Sequence, residues 1–87
     1  MSASPRTLKL GQLEELKQKE YKLRVQIDTV VKAMINLFEP LDRDMLYINR
    51  IEPKRLKIMV QDIERKSHEL TGVLREKDDL QKELGEE

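Results

Sequence analysis

What most constrains this chain is a 3,4 alternation of apolar residues that occurs twice, on either side of a proline-bounded interruption. The first run is Leu13, Leu16, Glu20, Leu23, Ile27, Val30, Met34, Leu37 and Leu41, broken only by Glu20. The second is Leu56, Met59, Ile63, Lys66, Leu70, Val73, Lys77, Leu80 and Leu84, broken by two lysines. Spacing that averages 3.5 residues and persists for four heptads keeps one seam on one side of a helix, which is the signature of coiled-coil packing. Between the runs, Glu39-Pro40 ends or kinks the first helix, because proline lacks the amide proton and disfavours a helical residue before it. Pro53 suits the first helical position of the second. The expected fold is all-α: an antiparallel two-helix coiled-coil hairpin with helices at residues 8–38 and 53–84 and a corner at 39–52.

The remaining boundaries are less sharply written. Residues 1–7 read as a flexible N-terminal tail ahead of a single helical-hairpin domain over residues 8–85, with Thr7 or Gly11 as the cap of the first helix and Gly85 as a stop for the second. The corner segment "LDRDMLYINRI" admits a short helix capped by Asp42 or Asp44, or an extended stretch through Tyr47, Ile48 and Ile51. In "EPKRLKIMV" a period of two fits only residues 56–60, whereas the 3.5 period fits everything from 56 to 84, so the helical reading takes that part of the chain.

Folding the chain back at the corner brings the seams level. Leu13 then meets Leu84, Leu23 meets Val73 and Leu37 meets Met59, with the numbers of paired residues adding to 96 or 97; a shift of about one turn is also allowed by the spacing. In this register the one acid of the first seam, Glu20, lies opposite a base of the second, Lys77. Such an interhelical polar pair adds little net stability but penalises wrong registers. Lys66 has no acid at its level and is expected to extend to solvent.

A second apolar set lies off the seams: Tyr21, Val25, Val31, Ile35 and Phe38 on the first helix, and Ile58, Val60 and Leu74 on the second. A lone hairpin cannot cover these, and monomers rarely leave large apolar patches exposed. The set therefore predicts a partner surface, with a homodimer packed as a four-helix bundle as the leading expectation and another protein as a further partner.

Composition narrows the function classes. The chain has 87 residues, 39% of them charged and 3% aromatic, and a chain this short has little room for a deep catalytic cleft. It has no cysteine, which removes thiol chemistry and cysteine-bound zinc, and it shows no phosphate-binding, nucleophile-elbow or zinc-hydrolase motif. His68 has no second histidine to join it, and Asp42-Arg43-Asp44 reads as a cap or solvated turn. The expectation is a protein without enzymatic activity, cofactor or metal. The N-terminal "MSASPRTLKLG" has no apolar stretch of signal-peptide length, and no run spans a bilayer, so no membrane association and a cytoplasmic location are expected.

The 17 basic and 17 acidic residues cancel, yet they are unevenly placed: net +3 over residues 1–38, +1 over 39–60 and −4 over 61–87. Arg50, Lys54, Arg55 and Lys57 gather at the start of the second helix, where positive charge opposes the helix dipole. That placement suggests an anionic or nucleic-acid contact, with Asp42, Asp44 and Glu52 close enough to neutralise it. In architecture the pattern resembles small helical hairpins that dimerise into bundles. With an extended corner it would resemble prefoldin-type chaperone subunits, and the resemblance would imply a holdase clamp.

Overall fold

Ser4 and Pro5 set the start of the fold. The computed structural model describes residues 4–86, and α1 occupies Pro5–Phe38 while α2 occupies Pro53–Glu86. The hydroxyl of Ser4 accepts the Thr7 amide at 3.2 Å, with Pro5 in the first turn where its missing N–H has no intrahelical partner to lose. The helix thus begins three residues before the expected start at residue 8, and Thr7 lies inside it rather than capping it. "Ser-Pro" is a strong local start signal that lies ahead of the apolar period. Residues 1–3 of the expected tail lie outside the described residues. At the far end α2 continues through Gly85, which has no left-handed φ, so Gly85 is not the stop expected of it.

The corner is built from two 3-10 turns, Glu39–Asp42 and Met45–Arg50, with no strand among the described residues. α1 ends at Phe38, directly before Glu39-Pro40, and the Pro40 carbonyl accepts the amides of Arg43 and Asp44 at 3.1 and 3.0 Å within the corner. Asp44 is extended and its carboxylate accepts the Leu46 amide at 3.0 Å, making Asp44 the cap of the second 3-10 turn. Ile51, also extended, is buried at 9% exposure and plugs the bend, after which the Glu52 carbonyl accepts the amides of Arg55 and Leu56 to launch α2. The β-containing tip on which the prefoldin likeness depended is therefore absent.

Between the helices the two seams form the core. Leu13, Leu23, Val73 and Leu80 are buried, and every other seam position from Leu16 to Leu84, polar ones included, is at least partly covered. Cross-helix ion pairs join Glu20 to Lys77 at 3.4 Å and Lys9 to Glu83 at 3.7 Å. Their residue numbers add to 97 and 92, which places the register within about one helical turn of the expected one.

The result is a rod. Its extents are 66 × 23 × 20 Å and its radius of gyration is 19.6 Å, against about 12 Å for a globular chain of this length. Its accessible surface of 7202 Å² exceeds by ~1,800 Å² the roughly 5,400 Å² of a globular monomer of the same mass. Gly72 sits in mid-α2 with nothing within 4 Å of a Cβ added there. Gly72→Ala is therefore expected to stabilise the hairpin by about 0.5–1 kcal/mol, read as a rise of several degrees in thermal midpoint by circular dichroism. A fall instead would mean that another helix approaches at Gly72.

Candidate functional site

Two surfaces stand out, a lengthwise apolar face and the corner. The off-seam residues Tyr21, Val25, Val31, Ile35, Phe38, Ile58, Val60 and Leu74 are all exposed. Which of them share a face follows from the heptad. With Leu13 and Leu56 each set at position a, Val31 and Phe38 fall at e, Tyr21 and Ile35 at b, and Val25 at f one turn from Tyr21; Val60 and Leu74 fall at e on α2. In an antiparallel pair the e flanks of both helices lie on one side of the seam and the g flanks on the other. Six of the eight therefore line one long face of the hairpin, and Val25 stands at its outer edge.

Ile58 does not. It lines a shallow groove with Thr29, Ala33 and Asp62, on the opposite flank from the groove formed by Val31, Ile35 and Phe38. Toward the open end that opposite flank carries Glu15, Glu76, Asp79 and Glu83. Lying off the seam does not by itself group Ile58 with the others, because residues off a seam can lie on either side of it.

Within the seam, Glu20 and Lys77 meet across the helices, with side chains 18% and 22% exposed. Arg24, one turn along α1, approaches the same Glu20 oxygen at 3.8 Å. Partial exposure screens the pair, so its coupling is expected to be at most about 1 kcal/mol. Glu20→Lys should cost about that much, and Glu20→Lys with Lys77→Glu should recover most of it, as a double-mutant cycle in urea would measure.

Lys66 departs from expectation. Rather than extending to solvent, it turns back along its own helix and donates to Asp62 at 2.8 Å, while Arg65 donates to the other oxygen of Asp62 at 2.7 Å. The hydrogen bond from Lys66, supported by the nearby charges of Lys66 and Arg65, holds the Asp62 carboxyl below the usual carboxylate range. A depressed carboxyl contributes stability that is present above its unfolded pKa and lost as pH falls through the folded one.

The corner is more exposed than its sequence implied. Arg50, Lys54, Arg55 and Lys57 are all solvent-exposed. Among the described residues none of them forms an ion pair with Asp42, Asp44 or Glu52, so the expected neutralisation does not occur through direct contact. The Arg50 guanidinium instead lies 6.0 Å from the centre of the Tyr47 ring. Beside these bases Met45, Leu46 and Ile48 are exposed, an apolar tip that sequence reasoning missed. Its signal was Asp44: a capping residue directly before Met45 starts a new turn and swings the following side chains off the line of the seam.

His68 is exposed, and among the described residues no three His, Cys, Asp or Glu side chains converge as metal ligands would. Among the same residues no helix is long and apolar enough to cross a membrane. Fold and surface together define the class, an antiparallel helical hairpin with one apolar face. No protein-family model, curated protein or solved structure matches the chain.

Proposed function

We propose that the chain is a non-enzymatic helical scaffold that self-associates through its apolar face into a four-helix bundle and holds its corner out for another protein. The observation that carries this reading is the gathering of Tyr21, Val25, Val31, Ile35, Phe38, Val60 and Leu74 on one side of the hairpin. An apolar band along the half of the hairpin nearer the corner is costly to leave in water, and monomers rarely do so. Sedimentation equilibrium at micromolar concentration is expected to return twice the chain mass. A strictly monomeric species would sink the proposal.

A second reading is favoured by the unpaired bases of the corner: contact with a nucleic acid through Arg50, Lys54, Arg55 and Lys57. Each lysine or arginine that neutralises a phosphate contributes about 0.7–0.9 to the slope of log affinity against log salt. On this reading replacing Lys54, Arg55 and Lys57 with Ala lowers that slope by roughly two. Retention of RNA and DNA that is insensitive to salt and unchanged by the triple substitution removes it.

A further inference from the structure

The pattern on the apolar face goes beyond self-association to its arrangement. We infer that two copies pack about a two-fold axis that crosses the hairpin at right angles, level with Asp28 and Ser67, so that the two corners point to opposite ends of the dimer. This rests on the self-association proposed above.

The first argument is positional. The face carries an apolar cluster toward the open end, Tyr21, Val25 and Leu74, and another toward the corner, Val31, Ile35 and Val60. On α1 the clusters are offset by about ten residues, or ~15 Å. Hydrophilic side chains separate them, Asp28 on α1 and Glu64, Ser67 and Thr71 on α2. A two-fold between the clusters seats each on the other cluster of the second copy, Tyr21 on Ile35, Val25 on Val31, and Leu74 on Val60. The midpoint of the first two pairs is Asp28 and that of the third is Ser67. Those two residue numbers add to 95, inside the range of 92 to 97 spanned by the cross-helix ion pairs, so all three midpoints fall at one level of the hairpin. One axis satisfies both helices.

Charge gives the second argument. The same axis brings Lys17 opposite Glu39 and sets Lys57 one residue off the level of Asp78 of the other copy, and all four side chains are exposed. The start of α2 with its approach, residues 50–57, carries net +3, and residues 76–83 near its end carry net −2. Opposed hairpins set the basic start of one α2 beside the acidic end of the other. Hairpins pointing the same way would crowd the unpaired bases of both corners at one end.

The absence of cysteine makes the test clean. A disulfide needs Cα atoms within about 7 Å, so Ser67→Cys, an exposed position beside the axis, is expected to oxidise to a covalent dimer for most of the chain. Single variants Val60→Cys and Leu74→Cys should cross-link several-fold more when mixed and allowed to exchange than either does alone. A dimer by sedimentation in which Ser67→Cys fails to link, while Tyr21→Cys links with Leu74→Cys of another copy, overturns the opposed arrangement and leaves self-association standing. A monomeric wild-type chain overturns both.

Discussion

Leu23→Ala is expected to lower the stability of the hairpin by about 2–3 kcal/mol and its thermal midpoint by roughly 10 °C or more. Leu23 is 5% exposed and, with Val73 at 6%, is among the most buried side chains of the described seam. Leucine-to-alanine truncations in globular cores cost about 2–5 kcal/mol, the spread reflecting how far the surroundings collapse into the space. A two-helix seam is thin and open along both flanks, so collapse and water entry are easier and the lower half of that range applies. Circular dichroism melts at matched protein concentration would measure it, since association makes the midpoint depend on concentration. A loss below about 1 kcal/mol would mean that the seam at this level is not the main source of cohesion.

Ile35→Asp is expected to weaken self-association by 100-fold or more while leaving helix content unchanged. Ile35 is 59% exposed in the single hairpin, where a carboxylate would be fully solvated and cost almost nothing. In the dimer the same carboxylate would leave water to face the ring of Tyr21 of the other copy, and burying a charge against an apolar contact costs about 3 kcal/mol. Two-fold symmetry doubles the penalty, because each dimer contains the substitution twice. The control is Ile58→Asp. Ile58 is equally apolar and 66% exposed but lies on the opposite flank, so its substitution should leave the dimer intact. Equal weakening by both variants would show that the face division is wrong, and weakening by neither would remove the face as an interface.

Much of the fold was legible because a heptad is a property of a single helix. Each seam declares its own direction, and two seams of equal length on either side of Pro40 and Pro53 leave few ways to close. The meeting of Glu20 with Lys77 follows from that geometry within one turn. The start of α1 was legible in principle too, from Ser4 and Pro5, but hydrophobic periodicity cannot see a boundary that lies outside the apolar pattern. The route of residues 39–52 was not. Short 3-10 turns hold themselves by a few local hydrogen bonds, such as that from the Leu46 amide to Asp44, and their residues have no long period to read. Hence Ile51 turned inward while Met45, Leu46 and Ile48 turned out. The partner of Lys66 was hidden for a related reason: Asp62 stands one turn away on the same helix and outside the facing seam.

For the candidate site the division is sharper. By itself the sequence determined that this chain makes two helices with one seam each, and that apolar side chains remain when those seams are closed, since both follow from spacing along one helix. Only the tertiary structure decided that Ile58 lies on the opposite flank from the groove of Val31, Ile35 and Phe38, and that the basic corner stays unpaired. Sharing a face is a relation between two helices, set by their antiparallel direction and register. No period along either helix contains it.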